Sequence, residues 1–446
     1  MKISQPIARI NFFTFITSHY NLEKNEKTGE KLSPAYNKEE ITITNFSSDG
    51  KAVGRLSDGR VVFVPGTIPG ERVLIRYSKS DKRYVQAELI EILSYSSKRT
   101  SSRCRYFGTC ALCRLQHLNY SDQTEVKRNI LIDQLKRIAK MSHLESLIQP
   151  TIPSDPYYGY RKSMIFSVLP DGKLGLHDAS GGMFTAERCP ICSEGINELM
   201  LRISFEAESG IHAAEFREGV EGESQVVLRG DSDYPPMEIE TDLSVSLVYS
   251  GPVGSYVLSG NSTLVQEIAG QEICASEDSP FFPNPEIYNA LCQKLIEILP
   301  DDRDKPVLNL NCGTGFWAKW FASQGRKVIA QDVGERSADD FAVNLDAFDS
   351  VDLYLGKPES ILPAFKENKL LTVFEAASEG ISVATAQALS KAEVPWILYI
   401  SHDSAILARD SIRLSDSGYK LNAIIPFDDE PQTAIISAAA IFRKNR

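Results

Sequence analysis

Three groups of residues in this 446-residue chain have types and spacings suited to chemistry. The first is Cys104, Cys110, Cys113 and Cys189, with gaps of five, two and 75 residues between successive members. Four thiolates satisfy either a Zn²⁺ ion or an iron–sulfur cluster, and ligand count does not separate the two. Cys192 offers an alternative ligand. Three cysteines within ten residues of a polar, Arg-rich stretch are a poor match to the competing reading, scattered apolar thiols. The second group is the loop Cys312-Gly313-Thr314-Gly315-Phe316 after the run VLNLN. Glycines at a strand-to-helix turn let the backbone approach a ligand closely. Asp332 ends the next strand-like run, where an acid holds a ribose hydroxyl pair. This order fits a nucleoside cofactor such as S-adenosylmethionine; a turn that needs Gly for geometry alone is the alternative. The third group is SHDSAILARD, residues 401–410, at the end of a fifth strand-like run. There His402 acts as a base or packs and hydrogen-bonds.

These side chains require elements to place them. From residue 37 to 95 the runs ITITNF, RVVFVP, RVLIRY and RYVQAELIEI alternate with Gly- and Asp-bearing turns, which predicts a small closed β-barrel. Arg76, Lys79, Lys82, Arg83 and Tyr84 would give it a basic, aromatic face for looped or single-stranded nucleic acid; a solvated hairpin tip is the plainer reading. Residues 96–280 form a mixed α+β region that carries the cysteines. Within it, Val126, Ile130, Leu131, Leu135 and Ile138 make a helical apolar stripe opposite Lys127, Arg128, Lys136 and Arg137. From 281 to 446, VLNLNC, KVIAQDV, VDLYL, LTVFEA and WILYIS alternate with helical segments, and KLNAIIP and TAIISAAAIF close the chain. That pattern predicts a doubly wound, Rossmann-like sheet with its ligand at the carboxyl ends of the strands. Residues 1–36 read as an extension, with INFFTFI (10–16) as a strand or loose arm.

Composition narrows the function classes. Eight cysteines are too few for a disulfide scaffold in a chain of this length. No apolar run approaches the ~20 residues that span a bilayer, and INFFTFI lacks a small-residue cleavage site. A cytoplasmic protein without membrane association, acting as a monomer, is expected. The net charge of −11 argues against a polyanion partner, but its distribution argues for one. Residues 35–140 hold 19 Lys/Arg against 11 Asp/Glu, which leaves a surplus of acid on the rest of the chain.

The chain resembles the bacterial iron–sulfur RNA (uracil-C5)-methyltransferases over most of residues 40–446. VGRLSDGRVVFVPGTIPGERVLIRY is similar to their TRAM domain, CRYFGTCALCRLQHLNYSDQTEVKRNIL to the cluster segment, FTAERCPIC to the segment with the fourth ligand, and LNLNCGTGF to the cofactor loop. YRKSMIFSV and VLSGNSTLVQEI follow the family pattern as well. The resemblance implies a TRAM barrel, a class I methyltransferase domain and a [4Fe–4S] cluster on Cys104, Cys110, Cys113 and Cys189. It also implies rRNA or tRNA as partner and S-adenosylmethionine as methyl donor, held around Phe282, Asn284, Gly313, Gly315, Asp332 and Glu375.

In that family a cysteine thiolate adds to C6 of uracil and a carboxylate removes the C5 proton. Here the nucleophile position is His402, and PQTAIIS places Ser437 at the base position. Asn309 stands for the acid of the cofactor motif, and Glu375-Ala-Ala-Ser378 for an Asp-Pro-x-Arg motif. A serine does not accept a proton near neutral pH as a carboxylate does, and an imidazole is a poorer conjugate nucleophile than a thiolate. The sequence therefore predicts an RNA-binding family member with lost or impaired uracil methylation; an active S-adenosylmethionine-dependent enzyme with altered chemistry is the second expectation.

Overall fold

A computed structural model describes residues 36–78, 84–235, 243–302, 304–365 and 371–445. INFFTFI, Lys79, Lys82 and Arg83 lie outside the described residues. Strands β1 (Tyr36–Phe46), β2 (Ala52–Arg55), β3 (Val61–Val64), β4 (Arg72–Ser78) and β5 (Tyr84–Ser94) close into a barrel in the order β1-β2-β3-β5-β4. Alternation puts Ile41, Ile43, Val62, Val73, Ile75 and Val85 inside. The run SSDGKAVG reads as a turn, but Ala52, Val53 and Gly54 at its end belong to strand β2. Gly54 hides the period: a Cβ there would meet Ile41 Cδ1 at 2.9 Å, so the strand crosses its neighbour only without a side chain.

The middle region is built on a seven-stranded sheet. Its strands are β6 (Ser163–Val168), β7 (Leu174–His177), β8 (Met183–Thr185), β9 (Ile211–Glu218), β10 (Ser224–Gly230), β11 (Ser246–Gly251) and β12 (Gly254–Ser259), in the order β12-β11-β10-β9-β6-β7-β8. Phe166, Phe216, Val226, Leu228 and Tyr249 form its core with Cys113, Cys189 and Cys192. The helix Tyr120–Arg137 buries Ile130, Leu131 and Leu135 as its stripe predicts. Lys127 departs from that pattern. Read as solvated, it is fully buried, with Nζ 2.5 Å from Asp428 Oδ1. Helical periodicity cannot anticipate this, because the partner lies 301 residues away.

The hairpin β13 (Thr263–Ile268) and β14 (Gln271–Ser276) precedes the last sheet. Sequence grouped it with the middle region, but Ile268 and Ile273 pack into the C-terminal core and Asn344 bonds the backbone of Cys274. The last sheet comprises β15 (Val307–Leu310), β16 (Val328–Asp332), β17 (Val351–Leu355), β18 (Leu371–Glu375), β19 (Trp396–Ser401), β20 (Tyr419–Phe427) and β21 (Ser437–Lys444). Their order is β17-β16-β15-β18-β19-β21-β20, parallel through β19 with β21 antiparallel to both neighbours. Apolar layers on both faces account for the near-continuous hydrophobic runs of these strands. The order reverses beside β15, which opens a crevice at the carboxyl ends of β15 and β18. Among the described residues, no helix is long and apolar enough to cross a membrane.

Candidate functional site

The carboxyl ends of β18, β19 and the turn before β21 bring Glu375, His402, Asp429 and Ser437 together. His402 follows β19 because Asp403 immediately caps the next helix, accepting from the N–H groups of Ala405 and Ile406. His402 Nδ1 lies 2.9 Å from Asp429 Oδ2 and 2.9 Å from Ser437 Oγ. Nε2 lies 3.3 Å from Glu375 Oε1. Ser437 donates to the other Asp429 oxygen at 2.7 Å. Each ring nitrogen thus faces a carboxylate, and a neutral imidazole would turn a lone pair toward one of them. Burial pushes the imidazole pKa down, but the bonds and charge of Asp429 and Glu375 outweigh it and raise it to about 10. Burial would also raise the Asp429 carboxyl; His402 and Ser437 reverse that and hold it below its ordinary range. The same contacts favour a doubly protonated ring at neutral pH, its Nδ1 facing Asp429 and Ser437 and its Nε2 facing Glu375.

Asp429 is the residue the sequence reading missed. Its signal was the run Asp428-Asp429-Glu430 just before PQTAIIS. All three acids are engaged: Asp428 with Lys127, Asp429 with His402, and Glu430 with Arg161 at 3.1 Å. Asn284 joins the group from below, donating to the Asp429 carbonyl at 3.1 Å and to Ser154 Oγ at 3.0 Å. Gln432, held at φ +72°, receives the N–H groups of Arg114 and Leu115 on its carbonyl. The segment 428–432 therefore ties the cysteine-bearing segment and the central sheet to His402.

The cofactor loop keeps its glycine geometry. Gly313 and Gly315 have φ +53° and +93°. A Cβ on Gly315 would meet Leu345 Cδ2 at 2.5 Å, so that glycine serves loop-to-helix packing; one on Gly313 would meet nothing within 4 Å, which leaves open space at its front. Asp332 does not face that space unencumbered. Its oxygens accept from Gly313 N at 2.8 Å, Val333 N at 2.7 Å, Gly334 N at 2.8 Å and Ser337 Oγ at 3.2 Å. Glu375 is likewise spent: beyond His402 it takes the Trp317 indole N–H at 3.1 Å. Phe282 packs edge-on against Tyr288 and Phe316. Asn309 is fully buried, and neither amide atom has a partner. Burial and the nearby Asp332 push the Cys312 thiol well up, so it supplies no thiolate.

The four expected cysteines meet. Cys104, Cys110, Cys113 and Cys189 line one small recess with apolar walls from Phe107, Leu176 and Phe184. Backbone N–H groups of Tyr106 and Phe107 favour the Cys104 thiolate, and those of Leu112 and Cys113 favour that of Cys110, against burial. Gln116 Nε2 is buried without an ordinary partner and stands by the Cys113 sulfur, whose thiolate it favours. The Cys192 thiol, donating to Cys189, outweighs burial and brings the Cys189 pKa to about 7. Among the described residues no three His, Cys, Asp or Glu side chains converge on one metal-ion position. Four sulfurs, N–H donors that favour their thiolates and apolar walls are nevertheless the donor chemistry of a thiolate-bound group.

Residues 37–90 match the TRAM domain. An uncharacterized RNA methyltransferase of Streptomyces coelicolor is 28% identical over 93% of this chain and 95% of its own length. The 23S rRNA (uracil(1939)-C(5))-methyltransferase of Shewanella sediminis is 27% identical over 90% of this chain and 95% of its own. The chain is thus similar to RNA methyltransferases along nearly its whole length and carries a TRAM domain. Among solved structures, the Pyrococcus abyssi tRNA (uracil-54, C5)-methyltransferase shares its fold, with a TM-score of 0.69 at 19% identity over 91% of this chain and 100% of that one.

The barrel face is less free than its charge suggests. Arg76 pairs with Glu88 across strands β4 and β5 and lies 5.4 Å over the Tyr36 ring. Arg60 and Arg72 pair with Asp58 and Glu40. Tyr84 remains exposed, edge-on to Phe63 at 5.9 Å.

Proposed function

We propose that this protein binds structured rRNA or tRNA without methylating uracil C5 by the family's covalent route. The observation that carries the reading is His402 locked between Asp429 and Glu375. A C5 methylation needs a nucleophile that adds to C6 and later leaves, then a base for the C5 proton. The imidazolium has no lone pair to add. Ser437 is fully buried, donates to Asp429, and is not a base near neutral pH. Cys104, Cys110, Cys113 and Cys189 would hold a [4Fe–4S] cluster, which would brace the segment feeding Arg114 and Leu115 into Gln432. The TRAM barrel and the basic front support RNA as partner. A cytoplasmic monomer without membrane association is part of this reading.

The second reading is an S-adenosylmethionine-dependent RNA methyltransferase with altered chemistry. The open space before Gly313 favours it, as does the fold shared with a methyltransferase solved with S-adenosyl-L-homocysteine. One experiment separates the two. The protein is incubated with methyl-labelled S-adenosylmethionine and unmodified total RNA, and RNA binding is followed against salt in parallel. The first reading expects binding that weakens steeply with salt and no label on RNA. Label on RNA that disappears in Gly313→Asp would establish the second.

A further inference from the structure

The loop 153–160 presents aromatic rings to solvent beside the His402 site. Tyr160 behaves as a core residue: fully buried, with its hydroxyl bonded to the Pro431 carbonyl at 3.0 Å. Tyr157 behaves otherwise. It is 37% exposed, yet its ring is fixed, stacked on Tyr120 at 4.4 Å with an 8° interplanar angle. Tyr120 is in turn anchored, its hydroxyl accepting the Ser154 N–H at 2.7 Å. Tyr158 follows at 5.5 Å from Tyr157, and the Arg103 guanidinium lies 4.4 Å over its ring. Arg103 is exposed and, among the described residues, no carboxylate pairs with it. Its neighbours Arg99 and Arg105 are paired with Glu71 and Glu187. A fixed, exposed ring beside a flat guanidinium lying on a second ring offers π-faces and an unneutralised positive charge at one place.

The position is connected to the site. The Tyr157 carbonyl accepts from Gln432 Nε2 at 3.2 Å, three residues from Asp429. Ser154 Oγ, bonded to the Pro156 carbonyl at 2.7 Å, accepts from Asn284, which also holds the Asp429 carbonyl. We propose that Tyr157, Tyr158 and Arg103 form a stacking platform for unpaired nucleobases of RNA next to the His402 crevice. Stacking on aromatic and guanidinium planes is tolerant of base identity, because every base has a π-face. A ring already fixed by Tyr120 gives up little freedom when a base lands on it. This deepens the RNA-binding reading and rests on it.

The test uses the full chain and a mixed-sequence single-stranded RNA carrying one 2-aminopurine, read by anisotropy and by 2-aminopurine emission. Wild type and Tyr157→Phe are expected to bind and quench the probe. Tyr157→Leu is expected to weaken binding about tenfold and abolish the quenching, with the salt slope unchanged. Arg103→Gln is expected to weaken binding and lower that slope by ~0.7, the value of one phosphate-neutralising charge on a single strand. If wild type binds the probe but Tyr157→Leu matches it in affinity and quenching while Tyr157→Phe shows the same fold, the platform is overturned and the RNA reading stands. If wild type binds no RNA at any salt, both fall.

Discussion

The cysteine recess and the His402 cluster are both four-residue constellations assembled from distant parts of the chain, and they differ in what they leave unspent. In the recess, N–H groups and the Gln116 amide favour the thiolates of Cys104, Cys110 and Cys113. Around His402, every charge has an opposite charge: two carboxylates on one imidazolium, and Lys127 on Asp428. A site built to take a ligand keeps donors in reserve; one that has become part of the scaffold satisfies them internally. That contrast supports the proposal that the recess takes a ligand while the His402 cluster serves as a structural joint.

The contrast breaks most sharply if the recess is not a cluster site. Cys113→Ser is expected to reduce bound iron and inorganic sulfide to background while the chain still folds; zinc in place of iron in the wild type would contradict it. Next in size is the joint. Lys127→Met leaves a fully buried Asp428 without its cation, and a loss of about 3–5 kcal/mol in urea unfolding is expected, with much of it recovered in Lys127→Met/Asp428→Leu.

Much of this architecture was legible in the sequence. Period-2 runs gave the barrel, the alternation of apolar runs and helices gave the doubly wound sheet, and cysteine spacing gave the recess. What escaped has a physical reason in each case. Strand β2 carries Gly54 where its pattern should show. Lys127 is buried because of Asp428, 301 residues later, and local periodicity carries no record of such a partner. His402 alone reads as base or packing residue; its state is decided by Asp429 and Glu375, each 27 residues away on other elements. Arg76 was read as free for RNA, but its cross-strand neighbour Glu88 is set by barrel register.

Two smaller effects sharpen the comparison. The His402 pKa of about 10 in the folded chain lies above the ordinary ~6.5. Its stabilisation is therefore complete below about pH 6.5 and lost as pH rises through about 10. The ring is 38% exposed, so solvent screening leaves about 1 kcal/mol at most. The stability gap between wild type and His402→Gln, from urea midpoints, is expected to narrow between pH 7 and 10; a gap that widens would contradict the assignment. Smallest is the barrel surface: Arg76→Ala, breaking an exposed pair with Glu88, is expected to change stability by less than about 1 kcal/mol by the same measurement.

The fixed charge on one ring can be read directly by nitrogen-15 NMR of histidine-labelled protein, with His402 assigned from the signals lost in His402→Gln. Both ring nitrogens protonated at pH 7 to 8, deprotonating near pH 10, is the expected result. A neutral ring at pH 7 with one nitrogen free would give the crevice a base, and the account of an inert joint would be wrong.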